Sequence, residues 1–177
     1  RLPRTDSELQ VTGLCQYGED YSRPGMLIAK GCFSQYPHAK ITTIDTSAAL
    51  RMPGVRGVIT WEDVPVNQNG CGFYGISDQP ILAKDIVRYR GDCIAVVAAE
   101  TREQAEQAAK AIRVEYEPLP AVYTIEDATM EDATLIHPEL FSSNVPYHLK
   151  AYLGDVSEGF AQADYIVEGS YRTQKLE

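Results

Sequence analysis

Cys93-Ile94-Ala95-Val96-Val97-Ala98-Ala99, then Thr101-Arg102-Glu103-Gln104, then Val114-Glu115-Tyr116-Glu117: the segment holding these three pieces decides the fold. Seven apolar residues in a row read as a buried strand. Thr101 with Gln104 three positions on is the pattern of a capping box. Ala105, Ala108, Ala109 and Ile112 follow at helical spacing on one face. That face is small, so the helix is expected to lie close on a sheet. Val114 to Glu117 alternates and reads as the next strand. Strand, helix, strand with short joins predicts a βαβ unit, right-handed by default, in a mixed sheet.

Outward from this unit the same rules give further elements. Segments 26–34, 39–45 and 55–61 read as strands, and 80–83 and 86–89 as short edge strands. Segment 10–17 is a short strand candidate broken by Gly13. Residues 46–51 make one or two helical turns, capped by Asp45 or Thr46 and stopped by Pro53-Gly54. Beyond Pro118-Leu119-Pro120, residues 124–128 form a short capped helix. A second helix, capped by Asp155 with Glu158, runs through Ala163, and 165–171 is a last strand. Residues 129–152 have no period and are expected to wrap the surface. The fold class is α+β, with 1–177 as a single domain carrying this extended segment.

The chain has 177 residues, enough to bury roughly 70% of its unfolded surface without metal or disulfide staples. Its 16 basic against 25 acidic residues leave a net charge of −9, which disfavours nucleic acid and anionic membrane surfaces as partners. The seven-residue apolar run is far short of the ~20 that cross a bilayer. Cys15, Cys32, Cys71 and Cys93 contain no C-x-x-C spacing, so free thiols in a reducing, cytoplasmic setting are expected. The chain opens on Arg1 and reads as a piece of something longer.

Candidate chemistry is sparse. Gly70-Cys71-Gly72-Phe73-Tyr74-Gly75 spells G-x-G-x-x-G, but a dinucleotide fingerprint must follow a strand and open a helix. An Asn-rich loop precedes it here and Pro80 follows closely, so the nucleotide reading fails on context. His38, His137 and His148 share no ligand spacing, and no metal site is expected from this chain alone. Cys32 and Cys93 sit in apolar strands and read as inert thiols. The pairs Glu115/Glu117 and Arg88/Arg90 read as solvated strand faces, and Glu126, Asp127, Glu131 and Asp132 as a solubilising surface. No catalytic constellation emerges. The loop 65–77 is the exception to this plainness: it is long, Gly-rich and aperiodic, yet carries Phe73 and Tyr74. Two aromatic rings on such a loop suit a surface that becomes covered by a partner domain or a flat substrate. The alternative is that they fold back on the domain's own core.

The order of motifs resembles a family. Arg4-x-Asp6, Val11-Thr12-Gly13, Tyr17-x-x-Asp20 and Pro24-Gly25-Met26-Leu27 are similar to the opening of the molybdenum-containing subunit of the molybdenum hydroxylases. Ser34-x-x-x-His38-Ala39-Lys40-Ile41-x-x-Ile44-Asp45 is the most telling block. Pro53-Gly54-Val55, Asp78-Gln79-Pro80-Ile81-Leu82-Ala83, Val87-Arg88-Tyr89-x-Gly91-Asp92 and Gly154-Asp155-Val156 continue in the expected order.

The resemblance implies the α/β hammerhead domain found in the xanthine dehydrogenase and aldehyde oxidoreductase family. It implies a full enzyme that hydroxylates N-heterocycles or aldehydes with water-derived oxygen. Molybdopterin-bound molybdenum, [2Fe–2S] clusters and FAD would be its cofactors, and none would be bound by this stretch. A molybdenum-binding domain is expected after residue 177, with iron–sulfur and flavin domains or subunits as further partners. The stretch itself would be a scaffold, inactive alone, with no catalytic residue of its own. The rival reading is a stand-alone, non-catalytic interaction module that reuses the fold. Xanthine, aldehyde, nicotinate and carbon monoxide enzymes share the domain, so it does not select a substrate.

Overall fold

The computed structural model describes residues 4–70 and 77–174. Its chain divides into a larger unit, Arg1–Asn144, and a smaller one, Val145–Glu177.

In the larger unit, helix α1 (Ser7–Val11) precedes strands β1 (Ile28–Phe33) and β2 (Ala39–Asp45). Helix α2 (Ser47–Leu50), strand β3 (Val55–Ile59), a 3-10 turn at Trp61–Asp63 and the short strand β4 (Ile86–Val87) follow. Strand β5 (Cys93–Ala99), helix α3 (Arg102–Ala111), strand β6 (Arg113–Pro118) and helix α4 (Ile125–Ala128) complete it. The described strands form two three-stranded sheets, in the orders β1-β5-β3 and β4-β2-β6. Helices with antiparallel sheets give the expected α+β class.

The expected βαβ unit in a mixed sheet is corrected. All described pairings are antiparallel, and β5 and β6 belong to different sheets. Both edges of β5 are taken, by β1 and β3, so α3 carries the chain across to the edge of β2. There β6 pairs from Ala39↔Pro118 to Asp45↔Arg113.

Consecutive residues of β5 feed two cores. Ile94, fully buried, packs with Ala39, Ile41 and Val87 of the β2 sheet and with Ala83 of the segment that leads into β4. Ala95 and Val97 pack on the opposite side under Ala108 of α3 and Ile112 just past its end, with Ala49 of α2. Ala105 and Ala108 have no exposed surface, which is how the small helix face allows the close approach. The capping box forms as expected: the Gln104 N–H donates to Thr101 Oγ1 at 3.2 Å, and the Thr101 N–H to Gln104 Oε1 at 3.1 Å. Thr101→Ala is expected to cost about 1 kcal/mol, read as a lowered denaturation midpoint with an unchanged m-value.

Three further expectations are corrected. Segment 10–17 is no strand. The β-branched Val11 closes α1, and Gly13, at φ +71°, lets the N–H groups of Leu14 and Cys15 return to the Leu9 carbonyl, both at 2.9 Å. That is a left-handed helix stop, which the glycine makes inexpensive. Residues 80–83 are not an edge strand either. Leu82 is tied through its backbone to the Asn67 side chain, and Ala83 donates to the Cys93 carbonyl at 2.7 Å. Residues 165–171 of the smaller unit form no ladder, because the described part of that unit contains no strand to pair with them. It consists of α5 (Val156–Ala161), capped by Asp155, which accepts the Glu158 N–H at 3.0 Å, and of chain whose Leu153, Tyr165, Val167 and Tyr171 are each at least 90% exposed.

Candidate functional site

The loop 65–77 is clamped at its base. Asn67 makes a reciprocal pair with the backbone of Leu82, at 2.8 and 2.9 Å. Asn69 and Gln79 exchange backbone hydrogen bonds as an isolated antiparallel bridge. Amide side chains suit this task, since one group donates and accepts at once. Phe73 and Tyr74 lie outside the described residues, as do Cys71 and most of the G-x-G-x-x-G stretch.

Beside the loop base is an open cleft of about 840 Å³. Trp61, Asn67, Lys84, Arg88 and Glu139 are among the side chains that line it. The Lys84 ammonium sits 4.5 Å from the centre of the Trp61 ring, a cation–π contact that holds both side chains at the rim.

Arg88 organises the far wall. Its side chain is only 16% exposed, against the solvated strand face expected for it. Its Nε donates to the Ile136 carbonyl at 3.0 Å, and a terminal guanidinium nitrogen to Glu139 Oε1 at 2.7 Å. His137 Nδ1 lies 3.3 Å from the same carboxylate. The backbone N–H of Arg88 donates to Asp92 Oδ2 at 3.1 Å. Burial of the Asp92 carboxyl pushes its pKa up, beyond what the Arg88 and Cys93 N–H groups and the Arg88 charge pull down. For Glu139, burial also acts upward, but its own N–H, Arg88 and His137 outweigh it and the pKa falls below the usual range. The irregular segment 129–144 is thereby strapped onto the sheet. Asn144 stiffens the strap, accepting from the Ile136 N–H and donating to the Thr134 and Ala128 carbonyls.

The other candidates separate. His38 is buried, with Nδ1 2.6 Å from the Pro120 carbonyl, far from any ligand set. Cys15, Cys32 and Cys93 are free, and burial raises the Cys32 and Cys93 pKa values, the mark of unreactive thiols. Glu115 and Glu117 are exposed on β6. Among the described residues no three His, Cys, Asp or Glu side chains converge to hold a metal ion, and no reaction step is assigned to them. No helix among them is long and apolar enough to cross a membrane. Arg88 is the residue that sequence reasoning missed. Its partners, Ile136 and Glu139, lie about fifty positions away with no periodic pattern to announce them.

Comparison with known proteins places this geometry. The family model for the aldehyde oxidase and xanthine dehydrogenase a/b hammerhead domain matches residues 12–120. A probable xanthine dehydrogenase subunit of Bacillus subtilis is 42% identical over 95% of this chain and 22% of its own length. The large molybdopterin subunit of nicotinate dehydrogenase from Eubacterium barkeri is 40% identical over 98% of this chain and 40% of its own. Among solved structures, the aldehyde oxidoreductase of Desulfovibrio gigas superposes with a TM-score of 0.73 at 35% identity, over 92% of this chain and 19% of that one. The chain thus spans between about a fifth and two fifths of these relatives.

Proposed function

Because the chain belongs to the aldehyde oxidase and xanthine dehydrogenase family through its a/b hammerhead domain, we propose that it is the scaffold domain of a molybdenum-dependent hydroxylase. The observation that carries this is the match of nearly the whole chain, at 40% identity or more, to a probable xanthine dehydrogenase subunit and to a large molybdopterin subunit of nicotinate dehydrogenase. The parent enzyme would insert water-derived oxygen into an N-heterocycle or an aldehyde. Molybdopterin-bound molybdenum would be held by the remainder of the large subunit, and [2Fe–2S] clusters and FAD would carry the electrons away in a cytoplasmic complex. In this reading 1–177 acts as one hammerhead domain, and its residues position and wall the substrate path rather than react.

Phe73 and Tyr74 are the residues we assign to that wall or to the neighbouring domain. The clamped base at Asn67 and Asn69 supports the reading, since it fixes where the loop leaves the sheet. The test is the double substitution Phe73→Ala/Tyr74→Ala in the full-length large subunit, with molybdenum content and turnover of a purine and an aldehyde measured alongside. The expected result is a raised KM or weaker assembly with little loss of folding stability. A loss of ~3 kcal/mol or more in stability would assign both rings to the domain core instead. Purified full-length protein that carries no molybdenum and turns over neither substrate class would overturn the hydroxylase reading itself.

A further inference from the structure

Helix α3 covers one face of the β1-β5-β3 sheet; on the other, Ile94 at one end meets the core of the β2 sheet and the rest lies open. Under α3 lie Cys32, Ala95, Val97, Val55 and Val58. The pairings Gly31↔Val96, Ala29↔Ala98, Gly57↔Ala98 and Ile59↔Val96 set the other face. It presents Ala29, Gly31 and Phe33 from β1, Val96 and Ala98 from β5, and Gly57 and Ile59 from β3; the charge at its edge, Arg56 at the β3 bulge, is paired with Glu100. Phe33 is 51% and Ile59 45% exposed. A solvated antiparallel face ordinarily alternates to polar residues. The apolar run of β5 instead has the composition of a strand buried on both sides.

Gly57 sharpens the point. A Cβ built there meets nothing within 4 Å, and its φ lies outside the left-handed region. Nothing among the described residues therefore requires the glycine. At Gly31 the flatness comes from Phe33, whose ring lies over the site a Cβ would occupy, 2.5 Å from its nearest atom.

We propose that this face is the seat of another domain of the same large subunit, which lays an uncharged apolar helix or sheet surface across Gly57 and Val96. The inference rests on the hydroxylase reading above for the existence of that domain. Size selects the occupant. Three strands at about 4.8 Å spacing and about 17 Å length offer a footprint of only ~240 Å². A stable association of separate chains takes roughly 800 Å² on each partner. The face is too small to hold a second copy by itself, but sufficient for a tethered domain presented at about millimolar effective concentration. The relatives supply the tether, since this chain covers 22% and 40% of them.

The test uses the full-length large subunit carrying Gly57→Cys, labelled with N-ethylmaleimide and read by mass spectrometry on the peptide that contains position 57. Labelling in the native protein should be at least about a hundredfold slower than in urea, as for a site reached only by local opening. Labelling at the urea rate would overturn the seat, as would protection that disappears on dilution, which marks a second copy. Should the variant not fold, hydroxyl-radical oxidation of Phe33 in the unsubstituted protein decides the same question: its absence supports the seat and its presence overturns it. Protection in a full-length protein that carries no molybdenum and turns over neither substrate class would support the seat while sinking the hydroxylase reading. Free labelling in a molybdenum-loaded one would do the reverse.

Discussion

Ile94→Ala is expected to cost about 2–5 kcal/mol, enough to remove most of the stability of a domain of ordinary margin. Among the described residues Ile94 is the largest of the fully buried side chains, and it touches the core of the β2 sheet from a strand that belongs to the other sheet. Its neighbours Ala95 and Val97 face the α3 side, so Ile94 joins the two cores. Truncation leaves a cavity walled by Ala39, Ala83 and Val87, and two of these walls are already alanine and cannot collapse inward by rotamer change. Chemical denaturation should show the loss in the midpoint. A separate, earlier transition for the β4-β2-β6 sheet would show that Ile94 also couples the two sheets. Val96→Ala on the same strand is the contrast. Its side chain is half-buried on the bare face, and its change in stability should be well under that of Ile94→Ala. Equal losses at the two positions would contradict this division of the strand.

Element positions were legible wherever a local rule acts alone. The period of Ala39–Asp45, the apolar run of β5 and the Thr101/Gln104 cap are each properties of a few adjacent residues, and each appears where expected. The pairing of strands was not legible. Whether β5 and β6 share a sheet depends on which edges are free after β1, β2 and β3 have folded, and that is settled by residues far upstream. The failure at 10–17 has a different cause. Val11-Thr12 favours a strand by propensity, but a glycine in the left-handed region can close a helix at the same place, and propensity is the weaker term. Segment 165–171 alternates as a strand should, yet a strand exists only through a partner, and the described part of the smaller unit holds none.

The site was legible in part for the same reason. The loop 65–77 shows itself by composition, and Asn67 and Asn69 clamp its base as turn-forming residues do. Arg88 gives no such signal, because beside Arg90 in a short strand it looks like any solvated cation. Its partners come from an irregular strap, where no periodicity links position 88 to 136 or 139.

Arg88→Met should therefore release the strap. The substitution keeps the apolar stem and deletes one bond to a backbone carbonyl and one to a carboxylate. Hydrogen bonds involving a charged group contribute about 1.5–3 kcal/mol each when desolvated, and Glu139 is half exposed, so a net loss of about 1–3 kcal/mol is expected. Hydrogen exchange across 133–141 should rise while that of β5 stays unchanged. Arg88→Lys should not restore protection, because an ammonium lacks the planar fork that reaches Ile136 and Glu139 together. The pH dependence has a definite sign. The Glu139 pKa lies below its unfolded value, so the contribution of this carboxylate is present above about pH 4.3 and is lost as the pH falls through the lowered folded value. Asp92 runs the other way: burial raises its pKa, so its ionisation penalises the fold at neutral pH and the penalty lifts on acidification. Strap protection should then fall in acid while the turn at Asp92 holds, and Arg88→Met should shrink the acid step at the strap, leaving the part that the Glu139 N–H and His137 supply. A strap whose exchange is the same in both proteins at neutral pH would show that Asn144, not Arg88, holds it in place.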